Sequence, residues 1–180
     1  MGVCYFISKC IDKWLGFYRK KCFESYIGQK CPGLKILGKI HCRNKNIRVG
    51  KNVIIYPNVM FMGEGEIVIG DNTFIQVNTV LYSHKDYKIF IGNDVMIAWN
   101  SFITTSDHRM TIGRSMIDQG VVSSDVTIED DVWIGGDASI LRGSYIKRGC
   151  VIGAKSLVNT VTEENGIYVG IPAKKIKTRE

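Results

Sequence analysis

Histidine is scarce in this chain, which contains only His41, His84 and His108. An imidazole exchanges a proton near neutral pH, so it is the side chain of choice for a general base. His108 lies in the string Thr104-Thr105-Ser106-Asp107-His108-Arg109. That string opens a long stretch in which the otherwise regular pattern of the chain is lost, and such excursions usually carry function. Asp107 is adjacent, but neighbours in sequence often point apart, so it is not assigned as the group orienting the ring. His84, in Tyr82-Ser83-His84-Lys85, sits in a second irregular stretch. It is a candidate for bordering an acceptor cleft, against the plainer reading of a surface loop. A metal is not expected. No two histidines lie closer than the 24 residues between His84 and His108, and the spacings of Cys4, Cys10, Cys22, Cys31, Cys42 and Cys150 match no zinc pattern.

The scaffold that must position His108 is written in a period of six. Apolar anchors recur at Val49, Ile55 and Phe61, then Ile69, Ile75 and Leu81, then Ile91, Ile97 and Ile103, and finally Ile128, Ile134, Ile140, Ile146, Ile152 and Val158. Four residues after most anchors comes a small or β-branched residue, such as Val53, Thr73, Val95, Ser101, Ala138, Cys150 or Ser156. Gly and Asn or Asp mark the corners, where tight or left-handed backbone is needed. Neither a helix nor a flat strand has this period. It predicts an all-β fold, a parallel β-helix of hexapeptide rungs forming a three-sided prism. About five coils are expected, on the order of 24 Å of column at roughly 4.8 Å per coil. The expected organisation is an N-terminal helix and lead-in over residues 1–48, with an imperfect first coil around Leu34–Cys42, the β-helix over 49–166 with one excursion at about 104–127, and a C-terminal tail over 167–180 whose string Gly170–Lys177 leaves the prism. Shorter interruptions are expected at Gly63–Glu66 and Tyr82–Phe90.

Charge is unevenly placed. The chain carries a formal +7, but residues 1–51 alone carry twelve Lys or Arg and two acidic residues, net +10. Ile7, Cys10, Ile11, Trp14, Tyr18 and Cys22 recur at helical spacing, which predicts a helix over residues 3–24. One reading packs this helix on the prism or a neighbouring subunit; the other rests a basic amphipathic helix on an anionic membrane. No run approaches the roughly twenty apolar residues needed to span a bilayer, and no secretory signal is evident. A cytoplasmic protein is expected, peripheral at the inner membrane if the second reading holds. A basic pI of about 9.1 alone does not make a nucleic-acid binder, and no recognition motif supports one.

Over roughly residues 49–177 the sequence resembles the hexapeptide-repeat acyltransferases, in particular the sugar and polysaccharide O-acetyltransferase branch. The matching strings are Val77-Asn78-Thr79, Ser106-Asp107-His108, Val132-Trp133-Ile134-Gly135-Gly136, Val151-Ile152-Gly153-Ala154-Lys155-Ser156-Leu157-Val158 and Gly170-Ile171-Pro172-Ala173-Lys174. The resemblance implies a left-handed β-helix and acetyl-CoA as co-substrate, without a metal. It implies a homotrimer with each active site in the groove between two prisms. It places the catalytic base on His108 and an acceptor-hydroxyl ligand on Asn78. The acyl-CoA arm falls beside Trp133. Pantetheine and nucleotide lie along Gly135, Gly136, Gly153, Ala154, Lys155 and Ser156, and the adenosine end near Pro172, Lys174 and Lys175. Lys155 departs from the family pattern, which has Gly there; it adds a phosphate contact or faces solvent.

The resemblance also implies the chemistry. A thioester is already activated, so a base and an oxyanion donor suffice for transfer to a sugar hydroxyl. Acetylation of a xenobiotic of the streptogramin type, or N-acetylation of an amino sugar, remains open on the same fold. A non-enzymatic solenoid scaffold is disfavoured by the excursion carrying His108.

Overall fold

The computed structural model describes residues 2–180, with side chains from Ile11 onward. Ile7 and Cys10, two of the expected helix positions, lie outside the described side chains. All fifteen apolar anchors are buried, from Val49 to Val158. The small column is buried beside them, including Val53, Thr73, Val95, Ala138, Cys150 and Ser156. The two columns fill the inside of a parallel β-helix.

Three parallel faces build the prism. The first stacks Lys35–Ile36, Ile54–Ile55, Phe74–Ile75, Met96–Ile97, Trp133–Ile134, Val151–Ile152 and Gly166–Gly170. The second stacks His41–Cys42, Met60–Gly63, Val80–Ser83, Phe102–Thr104, Ser139–Ile140 and Leu157–Val158. The third stacks Ile47–Val49, Glu66–Ile69, Lys88–Ile91, Val126–Ile128 and Tyr145–Ile146. Register keeps like over like: Ile97 pairs with Ile75 and Ile134, and Ile103 pairs with Leu81 and Ile140. Rung hydroxyls bond the backbone of the next coil, as where Thr73 Oγ1 donates to the Gly92 carbonyl at 3.0 Å and Ser144 Oγ to the Val158 carbonyl at 3.0 Å.

Corners repeat a left-handed residue. Between the first and second faces these are Asn58, Asn78, Asn100, Asp137 and Lys155, with φ between 58° and 61°. Three of these side chains form a ladder: Asn78 Nδ2 donates to Asn100 Oδ1 at 3.0 Å, and Asn100 Nδ2 to Asp137 Oδ1 at 3.1 Å. Asn and Asp tolerate this backbone because their short polar side chains bond locally.

Three expectations need correction. Seven strands stack on the first face rather than about five, because pairing begins at Lys35, ahead of residue 49. The imperfect first coil expected around Leu34–Cys42 is present, with Lys35–Ile36 and His41–Cys42 as its strands, although Leu34, Ile36 and Ile47 fall out of the six-residue register of the later anchors. The C-terminal segment does not leave the prism. Gly166–Gly170 is the seventh strand of the first face, and Ala173–Thr178 folds back antiparallel upon it. The interruption at Tyr82–Phe90 is mostly strand, with a short turn between Ser83 and Lys88.

The helix runs Gly2–Ile27, and its C-terminal half closes the first coil. Phe23 is buried with its ring 6.0 Å from that of Phe61, and Glu24 Oε1 accepts from the Cys31 amide at 2.8 Å. Gly16 lies against the first strand, where an added Cβ would stand 3.7 Å from the Ile36 carbonyl.

Candidate functional site

The excursion is a β-hairpin rather than an irregular loop. Ser106–His108 pairs antiparallel with Val121–Ser123, placing His108 opposite Val121. Its root is Thr105, which is buried. Thr105 donates its amide to the Tyr82 carbonyl and accepts from the Ser124 amide on its own carbonyl, at 3.1 and 2.9 Å. The Thr105 hydroxyl accepts from the His84 amide at 2.7 Å. At the tip, the Gln119 side chain bonds the Thr111 amide and the Arg114 carbonyl. Gln119 is thereby occupied within its own hairpin.

The Asp107 carboxylate pairs with Arg142, with Oδ2 3.0 Å from Nε. The pair ties the hairpin to the corner after Ser139–Ile140. Arg142 was missed by sequence reasoning, because an Arg at a solenoid corner is indistinguishable from a solvated one until its partner is known.

His108 lines a groove of about 440 Å³. The floor is the outer side of the second face, with Met60, Val80 and Phe102 in one row and Met62, Tyr82 and Thr104 in the next. The hairpin forms the wall through Ser106, Asp107, His108 and Val121. The imidazole itself is exposed. An apolar floor beside one exposed imidazole is chemically suited to holding a neutral or weakly polar group while a proton is taken from it.

The other candidates fall elsewhere on one chain. Asn78 belongs to the corner ladder and is exposed. His84 lies at the root of the hairpin, its ring 6.3 Å from that of Tyr87 and its Nδ1 3.2 Å from the Lys85 carbonyl. Trp133 is half exposed on the outer side of the first face, in register with Met96 and Val151. Gly135, Gly136, Gly153, Ala154, Lys155 and Ser156 cluster on that face and at the corner joining it to the second. Gly135 is required by close stacking, since a Cβ would meet the Ala154 amide nitrogen at 2.6 Å. Gly136 makes room for the Trp99 indole, whose Nε1 would be 2.9 Å from such a Cβ.

Lys155 has φ 59°, so the position favours Gly for backbone reasons. Ser156 is buried, and its hydroxyl accepts from the Gly170 amide at 3.1 Å. That hydroxyl faces the interior rather than a ligand. Pro172 sits in the turn of the C-terminal hairpin, and Lys174 is exposed. Lys175 is already partnered, with Nζ 2.6 Å from Glu163 Oε2. The hydrogen bond from Lys175 holds the Glu163 carboxyl below its usual range and raises the Lys175 ammonium. Among the described residues no group of three or more His, Cys, Asp or Glu could hold a metal ion.

Residues 125–160 match the family model "Bacterial transferase hexapeptide (six repeats)". The chain belongs to the hexapeptide-repeat family. This hexapeptide-repeat chain is 36% identical over 155 residues to "Probable acetyltransferase Rv3034c" of Mycobacterium tuberculosis, covering 82% of this chain and 51% of that protein. It is 32% identical over 130 residues to the galactoside O-acetyltransferase of Escherichia coli K12, covering 72% of this chain and 62% of that protein. The chain thus spans between half and two thirds of the length of these curated relatives. A solved structure of AntD, an N-acyltransferase from Bacillus cereus, superposes with a TM-score of 0.71 at 25% identity, covering 83% of this chain and 82% of that one. That structure is of a point mutant in complex with dTDP-4-amino-4,6-dideoxyglucose and Coenzyme A.

Proposed function

We propose that this protein transfers an acetyl group from acetyl-CoA to a hydroxyl of a saccharide, in the making of a surface polysaccharide. The observation that carries the reading is His108, held by a paired hairpin at the wall of an apolar groove. The galactoside O-acetyltransferase relative and the CoA-bound neighbour support the acceptor and donor classes. His108 takes the proton from the acceptor hydroxyl as that oxygen attacks the acetyl carbonyl. It then gives the proton to the departing thiolate. Acetyl-CoA supplies an acyl group already activated as a thioester. Asn78 and His84 are assigned to acceptor contacts. Trp133, with Gly135, Gly136, Gly153 and Ala154, forms a narrow ledge suited to an extended pantetheine chain. Lys155, Lys174 and the turn at Pro172 are assigned to the nucleotide end. Lys175 joins them only on release from Glu163, and Ser156 contributes through its backbone.

On one protomer, the Trp133 ledge and the His108 groove lie on different faces. Each face also carries apolar outward residues, among them Met96 and Trp133 on the first and Phe102 on the second. This supports a homotrimer in which the ledge of one prism meets the groove of the next. We place it in the cytoplasm, at the inner face of the membrane.

The test is release of free thiol from acetyl-CoA against a panel of saccharides, amino-sugar nucleotides and a streptogramin, with sedimentation to establish the assembly. Thiol release that requires a hydroxylated saccharide is expected. Release driven by an amino-sugar nucleotide or the antibiotic alone would overturn the acceptor class. The AntD likeness makes the amino-sugar arm the informative contrast.

A further inference from the structure

The N-terminal helix touches the prism with one side only. Gly16 and Phe23 face the first coils. The opposite arc carries Ile11, Trp14, Phe17 and Tyr18, which are 52%, 64%, 60% and 57% exposed. At 100° per residue these four fall within about one third of the helix circumference, centred away from the Gly16–Phe23 side. Trp14 and Tyr18 stack at 5.9 Å, forming a flat aromatic plate. Soluble proteins rarely leave such a patch uncovered without a partner.

Charge says what the partner is. Lys21 lies within the arc, its Nζ 5.5 Å from the centre of the Phe17 ring. Lys13 flanks the arc on one side, while Arg19 and Lys20 lie nearer the packed side, half-exposed in the groove against the first coil. The groove between the helix and the first coil adds Lys35. The acidic residues offset part of this: Glu24, buried and held by the Cys31 amide, pairs with Lys20 and Lys21 at 3.7 and 3.5 Å, and Asp12 is the exposed carboxylate on the described helix. The net charge of +10 over residues 1–51 contrasts with a net −3 over the remaining residues. No described helix is long and apolar enough to cross a membrane.

We propose that this arc is a docking surface for an anionic lipid bilayer, with Trp14, Phe17 and Tyr18 entering the headgroup region and the surrounding cations meeting lipid phosphates. Aromatic rings with a cationic fringe suit the membrane–water interface. The inference deepens the proposed location at the membrane and rests on that reading, but it does not depend on acyl transfer. Docking through the end of the column would leave the three prism faces and the His108 hairpin free.

The experiment is vesicle flotation of the full chain. One set of vesicles is phosphatidylcholine, and the other contains phosphatidylglycerol at roughly one lipid in three. Each cation near an anionic surface is worth about fivefold in binding. Binding to the anionic vesicles is expected to exceed binding to neutral ones by more than tenfold. The variant K13Q/K20Q/K21Q is expected to lose at least tenfold, and W14S/F17S/Y18S a similar amount, with thiol release on a soluble saccharide unchanged in both. Equal flotation with both vesicle types, or none with either, overturns the proposal. So does a change of oligomer size in W14S/F17S/Y18S, which would assign the arc to a second copy. Loss of thiol release in the parent chain with intact flotation would sink the transferase reading and leave this one standing.

Discussion

Asp107 and Arg142 form an ion pair, with Oδ2 and Nε 3.0 Å apart, between the hairpin that carries His108 and the corner of the next coil. The contact anchors one edge of the hairpin to the rigid stack. Breaking it leaves the hairpin held by its strand pairing and by Thr105. R142A is expected to lower thiol release by about three- to tenfold, a cost of roughly 1 kcal/mol in positioning. Global stability should change little, since partly exposed pairs contribute modestly. Faster proteolytic nicking between residues 109 and 120 in R142A is the accompanying check. Unaltered turnover and nicking would show the pair to be incidental.

Lys155 occupies a left-handed corner at φ 59°, where glycine has no Cβ to strain. K155G is therefore expected to stabilise the fold by about 1 kcal/mol. Thermal or urea unfolding measures this directly. Destabilisation would mean that the lysine side chain makes a compensating contact.

Gly135 and Gly136 are adjacent but answer to different neighbours. A Cβ on Gly135 meets backbone, the Ala154 nitrogen at 2.6 Å, so the coils themselves must separate. A Cβ on Gly136 meets the Trp99 side chain, which is half exposed and can swing away. G135A is expected to cost about 2–3 kcal/mol and G136A less than about 1 kcal/mol. Equal losses in chemical denaturation would contradict this account of the corner.

Glu24 links stability to pH. The Cys31 amide, foremost, holds its carboxyl below the usual range, with Lys20 and Lys21 assisting. A lowered folded-state pKa gives stability that is complete above the unfolded value of about 4.3 and lost as pH falls through the folded value. E24Q is expected to be less stable than the parent by about 1–3 kcal/mol at neutral pH. The gap should narrow as pH falls below the unfolded value of about 4.3 and close only below the lowered folded-state value. Urea titrations at both pH values test it, and a gap independent of pH would contradict it.

Much of this was legible in the sequence because the β-helix converts geometry directly into period. Each anchor from Val49 to Val158 is buried because every side of the prism turns one residue inward. The hairpin at His108 was visible only as a loss of period. Its pairing of His108 with Val121 is a long-range fact that local pattern does not encode. The first coil was legible only as an imperfect one around Leu34–Cys42, because Asn44, buried and bonded to the Gly65 carbonyl at 2.8 Å, shifts the register between Cys42 and Ile47. The engagement of Lys175 with Glu163, and of the Ser156 hydroxyl with Gly170, depends on the C-terminal strand folding back. Tail lysines and rung serines look the same in sequence whether engaged or free.

The central claim is that His108 is the base. The decisive measurement is the rate of thiol release from acetyl-CoA, with saturating saccharide, by H108A of unchanged assembly and unfolding midpoint. A fall of about 10²–10⁴-fold in kcat is expected for the loss of a general base. Turnover within a few fold of the parent would contradict the account.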